Sequence, residues 1–255
     1  MRGLRGKVVV LAGGAGGIGT ATCTRLAEEG AAVVVGDRAG DDAEAIAKGI
    51  TAGGGDAVGT HVDISDEGSV ANLYQLAVDT FGGLDGTHIN AADLKPDVIF
   101  GDTDLTTVDL GLVDHTLAVN LRGHVLCARA AIPLLLARGG GAIVHTSSAA
   151  AFSGGDTRPA YAMSKAGINA LVRHEASRWG KEGIRANAVA PGVVISPALA
   201  AAGESDFQRY ALGRTPSPRL GRPEDIAAMV AFLLSDDGAW VNGQVVSVDG
   251  GLTMR

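Results

Sequence analysis

Seven short apolar runs punctuate this chain: VVVLA (8–12), AAVVVG (31–36), AVGTHV (57–62), GTHIN (86–90), GAIVHT (141–146), IRANAVA (184–190) and QVVSV (244–248). Several are apolar on both faces, so they read as strands covered from both sides. Stretches of helical pattern separate them: TATCTRLAEEG (20–30), SVANLYQLAVDTFG (69–82), TLAVNLRGHVLCARAAIPLLLARG (116–139), AYAMSKAGINALVRHEASRWG (160–180) and PEDIAAMVAFLLS (223–235). This alternation predicts an α/β fold, a doubly wound parallel sheet of seven strands flanked by helices on both faces. No proline- or serine-rich linker and no internal repeat divides it, so 1–255 reads as one domain. The least patterned parts are 91–108 and 193–221. The second carries Pro197, Pro216 and Pro218 among small residues, as a lid over a substrate site does.

Composition narrows the function classes. The chain has 255 residues, 46% hydrophobic and 19% charged, with a net charge of −7. It is long enough to bury roughly 75% of its unfolded surface. The acidic balance and the lack of a basic run argue against a nucleic-acid partner. Cys23 and Cys127 lie far apart in apolar or helical sequence and read as buried free thiols in a reducing compartment. Arg2, Arg5 and Lys7 precede an apolar run too short for a secretory signal. No run approaches the roughly 18 apolar residues of a membrane span. The expectation is a cytoplasmic protein with no membrane partner.

The first strand ends in AGGAGGIG (12–19), followed by a helix. Glycines there let the backbone turn sharply and approach a pyrophosphate at the helix N-terminus. Two registers fit: Gly14, Gly16 and Gly19, or Gly13, Gly17 and Gly19, with Ile18 between the last two. Asp37 follows the second strand, where a carboxylate accepts hydrogen bonds from ribose hydroxyls and repels a 2′-phosphate. Its neighbour Arg38 can contact such a phosphate, but 12–19 contains no Lys or Arg. The balance favours NAD over NADP. A solvated aspartate at a strand end is the plain alternative for Asp37.

In YAMSK (161–165) a spacing of four places Tyr161 and Lys165 on one helical face. Ser148 lies thirteen residues before Tyr161, at the carboxyl end of the fifth strand, where parallel sheets place ligands. Its neighbour Ser147 is the alternative. Taken with AGGAGGIG, Asp63 in HVDIS, Asn90-Ala91-Ala92, Asn120 in LAVNLRG, Pro191-Gly192 and the tail RLGRPEDIAAMVAFLLSDDGAWVNGQVVSVDGG, the order and spacing resemble the short-chain dehydrogenase/reductase family over essentially the whole chain. The resemblance implies a single NAD(P)-binding Rossmann domain that transfers a hydride between NAD(H) and a secondary alcohol or ketone.

A free tyrosine ionises near pH 10 and is a poor base at neutrality. A nearby cation lowers that value by about 1–3 units, so Lys165, together with an oxidised nicotinamide, equips Tyr161 as the acid–base group. The resemblance further implies that Lys165 bonds the nicotinamide ribose and Ser148 holds the substrate oxygen. Asn120 would hold a water that links Lys165 to solvent. Gly16 joins the glycine contacts. Val62, Asp63 and Ile64 would meet the adenine, and Asn90, Ala91 and Ala92 the adenosine. Pro191, Gly192, Val194 and Ser196 would border the nicotinamide. A homotetramer built on helices 116–139 and 160–180 and the C-terminal strand is implied as well. Ala149, Ala150, Ala151, Phe152, Leu199 and Ala200 point to an apolar or cyclic substrate.

Three positions depart from the family pattern. Ala12 stands where Thr is usual, and Ile89 and Ala92 replace the first Asn and the Gly of NNAG. Ala92 matters if the backbone there needs a positive φ. Rival readings are fewer. The six histidines form no i, i+3 or i+4 pair, so no metal is expected. HTSSA is no hydrolase elbow. A catalytically silent NAD(P) sensor or scaffold and an NADP-dependent 3-oxoacyl-type reductase remain as alternatives.

Overall fold

A computed structural model describes residues 1–196, 200–201, 203 and 205–254. The chain runs β1 (Val8–Ala12), α1 (Gly17–Glu28), β2 (Ala32–Asp37), α2 (Gly40–Ala52), β3 (Ala57–His61), α3 (Glu67–Phe81) and β4 (Gly86–Ile89). It continues through α4 (Pro96–Gly101), α5 (Leu110–Leu117), a π turn (Ala118–Arg122), α6 (Gly123–Ala137), β5 (Gly141–Thr146) and α7 (Pro159–Trp179). It closes with β6 (Ile184–Pro191), α8 (Asp206–Arg214), α9 (Pro223–Leu234) and β7 (Val245–Val248). The seven strands form one parallel sheet in the order β3-β2-β1-β4-β5-β6-β7. The winding reverses between β1 and β4, and the crevice at their carboxyl ends is where such sheets bind ligands.

Side-chain alternation along β1 builds both layers. Val8, Val10 and Ala12 face a core completed by α3 and α6, whereas Val9 and Leu11 face Cys23 and Leu26 of α1 and Ala43 and Ala47 of α2. Each fully buried Val or Leu contributes about 1.5–3 kcal/mol. This is the seven-stranded, single-domain Rossmann fold expected from the strand pattern.

The helices depart from expectation in places. Helix α2 was not read from the pattern, because its buried residues are only Ala43 and Ala47. Helix α4 lies within the weakly patterned stretch 91–108, and α8 within the expected lid. The helix expected at 116–139 starts earlier and runs unbroken from Leu110 to Ala137 through the π turn. By length and composition that run could cross a membrane, contrary to the expectation from sequence, but half of its most apolar window is buried inside the protein, as in a core helix.

The three family departures have a structural account. Ala92 keeps a negative φ, since Arg158 is the only non-glycine with positive φ among the described residues. Where Thr and Asn would brace β1 to β4, Thr87 does so instead. Its hydroxyl donates to the Val10 carbonyl at 3.0 Å and lies 2.8 Å from the Tyr74 hydroxyl, which must donate to it.

Candidate active site

A cleft of roughly 630 Å³ opens at the carboxyl ends of the strands, with the glycine loop at one end and Tyr161 at the other. Gly13 has φ +90°, and a Cβ there would meet the Ala91 nitrogen at 2.5 Å. A Cβ on Gly19 would strike the Gly13 carbonyl oxygen at 2.2 Å, so this glycine lets α1 close on the loop. Gly13, Gly16, Gly17 and Ile18 line the cleft, whereas Gly14 and Gly19 lie behind it. The geometry therefore favours the Gly13, Gly17, Gly19 register, with Gly19 as a packing residue rather than a wall residue. A Cβ on Gly16 would meet nothing within 4 Å, which leaves the open cradle a pyrophosphate needs.

The acidic groups along this wall are anchored. Asp37 accepts from the amides of Ala15 at 2.9 Å and Ala39 at 3.0 Å. The Ser65 hydroxyl and amide hold the Asp63 carboxyl below its usual range. Arg38, Val62, Ile64, Asn90, Ala91 and Ala92 share this wall. Asn90 donates to the Gly13 carbonyl at 2.8 Å and ties the β4 end to the glycine loop.

At the other end the cleft gathers Ser148, Tyr161, Lys165, Pro191, Gly192, Val194 and Ser196. The two serines differ in burial and bonding. Ser147 is buried and donates to Asn169 at 2.6 Å, while Ser148 is partly open and its oxygen accepts from the Ala150 amide at 3.1 Å. Tyr161 sits in the first turn of α7, which starts on Pro159. The Asp102 carboxylate, at the end of α4, accepts from the Ala160 amide at 3.1 Å and the Tyr161 amide at 2.9 Å, and so seats the start of that helix. Lys165 is 1% exposed, and its ammonium donates to the Thr146 carbonyl at 2.8 Å. Burial pushes its pKa down to about 7. The protein thus supplies one acceptor for a group with three donors.

Asn120 does not line the cleft. It is fully buried in the π turn, where its Oδ1 accepts from the Asp93 amide at 2.8 Å and its Nδ2 has no partner. The apolar residues Ala149 to Ala151, expected near a substrate, form a 3-10 turn after Ser148 and do not line the cleft, whereas Leu94, outside that expectation, does. Leu199 lies outside the described residues, as do Pro197, Ala198, Ala202, Glu204 and Arg255. The open glycine cradle, the single-bonded Lys165 and the orphaned Asn120 amide fit a bound dinucleotide and ordered water.

Sequence spacing missed one cluster. His88 from β4, His124 from α6 and His145 from β5 are all fully buried and converge behind the wall. His124 Nε2 lies 3.2 Å from the Ala91 carbonyl, which can only accept, so that nitrogen carries hydrogen. Burial, then nearby Lys165, keeps His124 well below its usual pKa, so the ring is neutral. Its Nδ1 must accept from His145 Nδ1 at 3.0 Å, and a single proton remains between His145 Nε2 and Glu175 Oε2, 3.0 Å apart. Thr146 donates to Asn90 at 2.9 Å and therefore accepts from His88 Nε2 at 2.9 Å. The network thus braces Ala91, Asn90 and the strand whose carbonyl holds Lys165. Among the described residues, no group of three or more His, Cys, Asp or Glu is disposed to hold a metal ion.

Comparison with known proteins agrees with this architecture. A family model described as enoyl-(acyl carrier protein) reductase matches residues 13–253. The chain is 43% identical over 249 residues to a probable short-chain type dehydrogenase/reductase of Bradyrhizobium diazoefficiens, covering 97% of this chain and 87% of that protein. It is 38% identical to cis-4-hydroxycyclohexanecarboxylate dehydrogenase of Sinomonas cyclohexanicum, covering 97% and 96%. It is 32% identical to 7alpha-hydroxysteroid dehydrogenase of Bacteroides fragilis, covering 100% and 97%. With the fold, the glycine-loop cleft and these full-length matches together, the chain belongs to the short-chain dehydrogenase/reductase family of NAD(P)-linked oxidoreductases.

Proposed function

We propose that this protein transfers a hydride between NAD(H) and a secondary alcohol or its ketone on a ring-shaped substrate. The observation that carries the reading is the placement of Ser148, Tyr161 and Lys165 on one wall of the cleft that also holds Gly13, Gly17 and Asp37. The bound nicotinamide supplies the hydride acceptor or donor. Tyr161 takes the alcohol proton as phenolate in oxidation and returns it as phenol in reduction. Lys165, as a cation, favours the phenolate and offers its free N–H groups to a ribose. The Ser148 hydroxyl orients the substrate oxygen. Asn120, with an unpartnered buried Nδ2, holds a water on the proton path from Lys165.

Asp37 supports NAD over NADP, because its fixed carboxylate meets a 2′-phosphate with like charge. A ring-shaped substrate is supported by two relatives named for a 7alpha-hydroxysteroid and for cis-4-hydroxycyclohexanecarboxylate. Exposed Val125 and Leu136 on α6, Met163 on α7 and Trp240 before β7 support a homotetramer through those surfaces. Two buried free cysteines fit a reducing, cytoplasmic setting. The residues from 193 to 221 are the proposed lid.

The test is a panel of alcohols and ketones followed by absorbance of the reduced nicotinamide, with NAD and NADP in parallel. Turnover with cyclic secondary alcohols and NAD is expected. NAD binding with no turnover of any member would favour a silent sensor.

A further inference from the structure

Arg158 stands at the threshold of α7, three residues before Tyr161, in a conformation that its own chemistry opposes. Its φ of 69° and ψ of 43° are left-handed, where an L-residue crowds its own carbonyl. The proline that follows disfavours helical dihedrals at this position as well. Asp102 holds the turn in place, its carbonyl accepting from the Arg158 amide at 2.8 Å. Glycine or asparagine would take this shape at lower cost, so the arginine needs a reason that lies in its side chain.

That side chain lies against the reacting group. The guanidinium carbon lies over the Tyr161 ring, 4.3 Å from its centre. Its Nε is buried with no hydrogen-bond partner, and Arg158 forms no ion pair among the described residues. The nearby Asp102 carboxylate already accepts from two helix amides. The carboxylates on the cleft wall are likewise engaged: Asp37 by two amides, Asp63 by Ser65, and Asp93 by the Lys95 amide and His115. An acidic protein has therefore kept a cation beside its reacting tyrosine without giving it an anion.

We propose that Arg158 binds a carboxylate carried by the substrate, at a distance from the carbinol that Ser148 and Tyr161 hold. The inference rests on the hydride-transfer reading for the position of the carbinol. The terminal N–H groups of this half-buried guanidinium form a fork that matches a carboxylate. The substrate class is then a ring-shaped hydroxy or oxo acid.

Calorimetric titration with cyclohexanecarboxylate and with its methyl ester, with and without saturating NAD, tests this directly. The unmodified protein is expected to bind the acid at least about tenfold more tightly than the ester, the scale of a charged hydrogen-bonded contact. Arg158→Gln should bring that ratio close to one with NAD affinity unchanged, and Arg158→Lys should keep part of it. No preference in the unmodified protein, a preference that survives Arg158→Gln, or an equal loss for both compounds and NAD would each overturn the proposal. Assay of the 4-hydroxy acid and its ester separates the two readings. Turnover of both without preference removes the anion site and leaves hydride transfer, whereas acid-selective binding without any turnover removes hydride transfer and leaves the anion contact.

Discussion

The two ends of the cleft treat their polar groups in opposite ways. At the glycine-loop end the protein satisfies them itself: Asp37 by two backbone amides, Asp63 by Ser65, Asn90 by the Gly13 carbonyl. At the Tyr161 end, Lys165 has one acceptor, and Asn120 Nδ2 and Arg158 Nε have none. A surface that only binds can be finished in advance. A surface that must meet a ribose, a water and a changing oxygen keeps donors in reserve, and buried donors without partners are costly. Behind that end, the buried His124–His145–Glu175 chain and the His88–Thr146 pair brace the ends of β4 and β5.

The sharpest way to break the comparison is at Tyr161. Tyr161→Phe removes a hydroxyl and leaves the glycine-loop end untouched. Turnover should fall by about 10³-fold or more, in the upper range of general acid–base effects, while NAD affinity changes little. Stopped-flow turnover and fluorescence binding of NADH measure the two separately, and near-normal turnover would refute the mechanism. Next in size is the support itself. Glu175→Leu leaves His145 Nε2 buried without a partner and should cost about 3–5 kcal/mol in urea unfolding. Glu175→Gln keeps a donor toward His145 and should cost much less. A Leu variant within about 0.5 kcal/mol of the parent, the range of ordinary surface changes, would show the network to be dispensable.

These two ends also differ in how far the sequence reveals them. The glycine loop, Asp37, Ser148, Tyr161 and Lys165 are legible because each sits at a strand end or within one helical turn, where local spacing and chemistry coincide. The supports are not local. His88 and His145 come from different strands, and the register that sets Ile89 opposite His145 is a product of the folded sheet. Asp102 reaches α7 from 58 residues upstream of Ala160. Nothing in its own neighbourhood, DTDLTT, marks it as a cap. Helix α2 stayed hidden because small buried alanines leave no strong apolar period, and the early start of α5 because the π turn shifts the phase of the helix that follows.

A smaller effect probes the finished end. Asp37→Ala removes a charged acceptor whose hydrogen bonds to ribose hydroxyls are worth about 1.5–3 kcal/mol. The preference for NAD over NADP should narrow by about 30-fold, read as the ratio of the two kcat/KM values. An unchanged ratio would show that Asp37 takes no part in choosing between the two.

The last prediction concerns Lys165 and appears as a pH dependence of stability. Its native pKa is lowered from 10.5 to about 7 by burial. Between those values the unfolded chain holds a proton that the native protein has released. Stability contributed by this group therefore rises with pH from about 7 and levels off near the unfolded value, with a slope of no more than about 1.4 kcal/mol per pH unit. Lys165→Met removes the titration. Urea unfolding from pH 7 to 9 should show the parent gaining stability relative to the variant, and saturating NAD should flatten that gain because ribose oxygens favour the charged ammonium. Parallel curves for parent and variant would mean that Lys165 remains charged without the nucleotide, and that the Thr146 carbonyl alone suffices to hold it.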